Sequence, residues 1–91
     1  MPNRCTVTVT IVNRLGLHAR PAMSFVDAAS AFKAAVRVRK GDQEVDGKSI
    51  MQMMMLAATK GTKLEVTAEG DDAEQACKAL SDLVASGFEE E

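Results

Sequence analysis

The chain has 91 residues, enough for one domain with one modest hydrophobic core. Apolar residues make up 46% and aromatic residues only 3%, with no Trp or Tyr, so the core must be built from Val, Leu, Ile, Met and Ala, and the chain offers no stacking platform for nucleic acid. The formal net charge is −2, and three of the 13 acidic residues are the terminal Glu89, Glu90 and Glu91, which leaves a nearly neutral body and no strong field toward nucleic acid or membrane.

Residues 6–12 alternate Thr6, Thr8 and Thr10 with Val7, Val9 and Ile11, which predicts a half-buried strand. Residues 13–18 contain Gly16 and read as a loop. A helix starts at Ala19 with Pro21 in its first turn, where the missing N–H costs nothing; Ala22, Phe25, Val26, Ala29 and Phe32 form its apolar stripe. Alternation over 35–39, a turn at Lys40, Gly41 and Asp42, and a short run from Gln43 to Asp46 predict a hairpin. Ser49 followed by Gln52 fits a capping box, and Gly61 fits the position just past a helix end, so a second helix is expected over 50–59. Leu64, Val66 and Ala68 alternate in a fourth strand, 63–69. Asp71 and Glu74 suggest another capping box, followed by Ala73, Ala76, Cys77, Leu80, Leu83 and Val84 on one face of a third helix that Gly87 ends. The order β-α-β-β-α-β-α implies one α+β domain over 1–91 with an acidic tail at 89–91. An antiparallel sheet carries helices on one face and water on the other.

No apolar run approaches the roughly 20 residues that span a bilayer, and the start Met-Pro-Asn-Arg has no apolar export region, so a cytoplasmic protein without membrane insertion is expected. Cys5 and Cys77 are far apart and form no CxxC; they read as two buried thiols of a reducing compartment. One histidine and two separated cysteines argue against a zinc site. No phosphate-binding glycine loop for ATP is present, so no metal and no cofactor are expected.

The chemistry concentrates at His18, the only histidine. It follows a glycine loop and precedes Ala19, Arg20 and Pro21, which places it at or next to the helix N-cap. The first helical N–H groups lack intrahelical partners and carry partial positive charge, a setting suited to phosphate. Arg20 adds a permanently charged planar fork of matching geometry. An ordinary imidazole is largely neutral at pH 7 and can act as a nucleophile. A phosphoryl group on its ring would be held by the helix amides and Arg20. With no ATP site, that group must come from another protein and pass to another. The plainer alternative is a helix cap beside a solvated surface charge.

The run Gly16-Leu17-His18-Ala19-Arg20-Pro21-Ala22 resembles the active-site signature of the HPr/NPr family, histidine-containing phosphocarriers of the bacterial phosphoenolpyruvate-dependent phosphotransferase system. Lys48-Ser49-Ile50-Met51-Gln52-Met53-Met54 resembles that family's regulatory serine segment. The resemblance implies an open-faced sandwich with sheet order 1-4-2-3. It implies that enzyme I phosphorylates Nδ1 of His18, that a IIA protein or domain accepts the group, and that the carrier is not an independent catalyst. In one branch the serine matching Ser49 is modified by an HPr kinase/phosphorylase. Leu17, Ala19, Lys48, Met51 and Met54 match docking positions, and a monomer is expected. Gln52 departs from the Gly that many relatives carry there.

Met51, Met53, Met54 and Met55 cannot all face a core, because adjacent helix positions point about 100° apart. Some must be exposed, and a methionine surface adapts to several partners. The sequence is also compatible with two other readings. One is a nitrogen-related phosphorelay with the same chemistry. The other is a ligand-binding regulatory domain, which leaves His18, Arg20 and Pro21 unexplained as a set.

Overall fold

A computed structural model describes residues 3–89. Seven main elements follow in order: β1 (Arg4–Thr10), α1 (Ala19–Ser30), β2 (Ala35–Lys40), β3 (Gln43–Asp46), α2 (Ile50–Met55), β4 (Lys63–Glu69) and α3 (Ala73–Ala85), with a short 3-10 turn at Gly87–Glu89. The strands form one antiparallel sheet in the order β1-β4-β2-β3. This is the β-α-β-β-α-β-α sandwich that the resemblance implied. Of the acidic tail, Glu90 and Glu91 lie outside the described residues.

Period-two patterning sets the two faces of the sheet. Val9, Val36, Val38, Val45, Leu64, Val66 and Ala68 are buried on the helix side, with Cys5 and Val7 packed beside them. The other face is polar: Thr6 and Thr67 share a hydrogen bond at 3.1 Å, and Arg39 stands opposite Glu65. The helices close the core with Ala22, Phe25, Val26 and Ala29 from α1, Met53 from α2, and Ala73, Ala76, Cys77, Leu80 and Val84 from α3. Phe32 lies just past α1, half-buried against this core, and does not belong to the helix.

Three boundaries differ from expectation, each for a physical reason. The first strand covers Arg4–Thr10 rather than 6–12, because its register with β4 runs from Arg4 opposite Glu69 to Thr10 opposite Lys63. The second helix stops at Met55 rather than 59. Its last turn tightens, with the Leu56 amide donating to the Met53 carbonyl at 3.2 Å, and Ala57 then turns left-handed at φ 49°. The freed carbonyls are met by side chains from the hairpin: Lys40 Nζ donates to Leu56 O at 2.8 Å and Gln43 Nε2 to Met55 O at 3.2 Å. A cation at a helix C-terminus is also electrostatically favourable. Gly61, the expected helix terminator, instead shapes the turn into β4.

The third difference is at α3. Its N-cap is Asp72, and the Asp71–Glu74 capping box does not form. The Asp72 carboxylate makes no bond to its own helix. It accepts the Lys33 and Ala34 amides, both at 2.8 Å, and so ties α3 to the chain between α1 and β2. The Lys33 amide is the main reason its carboxyl sits below the ordinary carboxylate value of 3.8.

Candidate functional site

His18 is the N-cap residue of α1, with extended backbone at φ −77° and ψ −172°, as the local pattern predicted. Its side chain makes no capping bond to the helix. Its carbonyl accepts the Ala22 amide at 3.0 Å, and Pro21 has no amide to offer. The orphan donors of the first turn are therefore the amides of Ala19 and Arg20. Pro21 and Ala22 are buried and fix the turn to the core, while Ala19 and Arg20 are exposed and His18 is half-buried. Among the described residues, the Arg20 guanidinium takes no hydrogen-bond or ion-pair partner.

The loop before His18 is fixed on two sides. Buried Asn13 donates through Nδ2 to the Gly16 carbonyl at 2.7 Å, and the Gly16 amide returns to the Asn13 carbonyl at 3.2 Å. The Leu17 amide then donates to the Ala58 carbonyl at 2.8 Å, which joins the loop to the chain leaving α2. Gly16 has φ 71°, a left-handed value that disfavours any side chain.

The residues matched to docking positions fall into different environments. Leu17 is buried and presents no apolar surface. Lys48 is half-buried, its ammonium donating to the Phe32 carbonyl at 2.8 Å. Met51 is 79% exposed and Met54 44%, whereas Met53 is fully buried. Met55 is 65% exposed as well, so three of the four methionines in the run face outward. Ser49 caps α2, its Oγ accepting the Gln52 amide at 3.2 Å. The reciprocal arm of the capping box is absent, because Gln52 Oε1 accepts the Asp46 amide instead, at 2.9 Å.

These contacts also fix how the helices run. The start of α1 is tied to the chain after α2 through Leu17 and Ala58, and the chain after α1 is tied to Lys48, just before α2. The two helices therefore run in opposite senses. The end of α2, with Met54 and Met55, adjoins the His18 loop, and Ser49 lies at the other end of that helix.

Among the described residues no helix is long and apolar enough to cross a membrane. The family model described as "PTS HPr component phosphorylation site" matches residues 5–86. The chain is 49% identical over 83 residues to the phosphocarrier protein HPr of Neisseria meningitidis, covering 91% of this chain and 93% of that protein. It is 40% identical over 85 residues to the phosphocarrier protein NPr of Escherichia coli, covering 92% and 94%. The solved structure of HPr from Thermoanaerobacter tengcongensis superposes with a TM-score of 0.92 at 48% identity, covering 96% of this chain and 98% of that one. With its sheet order, its histidine at the N-cap position of α1 and a match spanning nearly its whole length, this chain belongs to the HPr family of phosphocarrier proteins of the phosphotransferase system.

Proposed function

We propose that His18 is the residue that carries the phosphoryl group, on Nδ1, between phosphorylated enzyme I and a IIA protein or domain. In the first transfer a ring nitrogen of His18 attacks phosphorus, and the bond to enzyme I breaks as the new P–N bond forms. In the second, the acceptor attacks and His18 leaves. Arg20 balances the negative charge of the group in transit, and the Ala19 and Arg20 amides donate to its oxygens. The observation that carries this reading is the N-cap position of His18 over a first turn with just those two orphan amides. Pro21 contributes by removing a third donor that a bound phosphoryl group would otherwise have to satisfy.

The carrier meets its partners over the ground around His18, with Ala19, Met51, Met54 and Met55 supplying contact, and it is not itself a free-standing catalyst. Ser49 is a second modification site in this reading: a phosphate there would suit a helix N-terminus and still place up to two negative charges beside the methionines. Incubation with enzyme I and phosphoenolpyruvate, followed by mass spectrometry, tests the proposal. Wild type gains one acid-labile phosphoryl group and His18→Ala gains none; full labelling of His18→Ala would overturn the assignment. Offering the charged protein separately to a sugar-type and a nitrogen-type IIA acceptor then decides the branch.

A further inference from the structure

The two cysteines lie 72 positions apart in sequence, one on the first strand and one on the last helix, yet the fold brings them together. Cys77 Sγ is 3.2 Å from the Cys5 carbonyl oxygen. Small residues allow this approach. Cys5 stands opposite Ala68 on β4, and Ala73 and Ala76 precede Cys77 on the buried face of α3, so the helix seats close to the sheet. Their environments differ. Cys77 is 1% exposed, and burial, with the neighbouring Cys5 thiol, pushes its own thiol up to about 11; Cys5 is half-buried. The expectation of two buried thiols therefore holds for Cys77 and not for Cys5, which is half-buried.

We infer that Cys5 and Cys77 form a redox-responsive pair, which a small-molecule disulfide converts into an intramolecular disulfide tying β1 to α3. The order of events follows from exposure. The Cys5 thiolate attacks one sulfur of a disulfide such as oxidised glutathione, giving a mixed disulfide on Cys5 and releasing one thiol. Cys77 gives up its proton and attacks the Cys5 sulfur, and the second small thiol leaves. Together the cysteines lose two electrons and two protons, and the small disulfide takes up both. The link closes residues 5–77 into one loop, and a disulfide restricts the unfolded chain more the longer the loop it closes. It lies at the opposite end of β1 from the His18 loop and leaves His18 accessible.

The full-length protein, reduced and then incubated with oxidised glutathione, is trapped by alkylation and weighed. The expected product is a monomer lighter by two hydrogens that takes up no alkylating agent. Trypsin should release peptides 5–14 and 64–78 joined through Cys5 and Cys77. Its thermal midpoint should rise by about 10 °C, with phosphoryl acceptance at His18 unchanged. Cys5→Ala should show neither cross-link nor shift. Cys77→Ala should stop at a glutathione adduct on Cys5, which the mass reads whether or not that variant is less stable. A wild-type product that stays fully alkylatable, stops at the Cys5 adduct or links two chains would overturn the inference. None of the results that would overturn the inference depends on His18 being phosphorylated.

Discussion

A β-carbon placed on Gly16 would lie 2.5 Å from the Ala58 carbonyl oxygen, the oxygen that accepts the Leu17 amide. That atom is backbone and cannot swing aside. The residue two before His18 is therefore fixed by both its left-handed φ and its neighbour. Gly16→Ala should cost about 1–2 kcal/mol for the left-handed conformation alone, with the clash adding to it. Urea unfolding measures the stability. Phosphoryl acceptance, measured where the variant is still folded, should also slow, because relief of the clash moves the loop that presents His18. An unchanged rate would mean that the loop position does not matter to transfer.

Arg20 is exposed and makes no contact that the fold needs. Arg20→Ala should leave the thermal midpoint within a degree or two of wild type. If the guanidinium contacts the transferring group, losing one charge-assisted bond costs about 1.5–3 kcal/mol, or roughly 10- to 150-fold in rate. Arg20→Lys keeps charge without the bidentate fork and should recover only part of the loss. Wild-type kinetics in both variants would reduce Arg20 to a surface charge.

Asp72 gives the fold a pH dependence. Its carboxylate holds the Lys33 and Ala34 amides, and its pKa is lowered in the folded state, chiefly by the Lys33 bond. A depressed carboxyl contributes stability above its unfolded pKa, and the contribution fades as pH falls through the folded value. Asp72→Asn should thus be less stable than wild type at pH 7. The gap should narrow below about pH 4, the range where an ordinary carboxylate takes up its proton. Thermal melts of both proteins from pH 7 down to pH 2.5 would show it; a constant gap would mean that charge plays no part in the tie.

The element order and the buried faces of the strands and of α1 and α3 are written in period-two and period-3.6 patterns, and they were legible. So was the helix start at His18, because glycine, an N-cap position and Pro21 follow one another within a few residues. Sheet order was not: alternation says which face of β4 is buried but not that β4 lies between β1 and β2, and that came only from the family resemblance. The early end of α2 depends on Lys40 and Gln43 reaching in from the hairpin, 16 and 12 positions away from the carbonyls they meet. The meeting of Cys5 with Cys77 and the tie from Asp72 to Lys33 are long-range in the same way. Local patterns fix faces and caps; these features are set by which elements pack side by side.

The methionines of α2 divide folding from docking, and substitutions there should separate the two. Met53 is fully buried, so Met53→Ala should cost about 2–5 kcal/mol of stability through lost burial and the cavity left behind. Met51 is largely exposed, and Met51→Ala should stay within about 0.5 kcal/mol of wild type. If enzyme I covers this face, burying one such side chain contributes about 1.5–3 kcal/mol to the encounter. Met51→Asp or Met54→Asp should then weaken binding roughly tenfold to a hundredfold, with His18 untouched. Ser49→Asp keeps a good N-cap and should melt near wild type. It places one charge at the start of α2, whereas the His18 loop adjoins the end of that helix, about 9 Å further along six residues. Its effect on enzyme I binding should consequently be smaller than that of Met54→Asp. Titration of labelled protein with enzyme I gives the ranking directly. If Ser49→Asp weakens binding more than Met54→Asp, contact is centred on the start of α2. If no substitution weakens it, the methionine face is not where enzyme I docks.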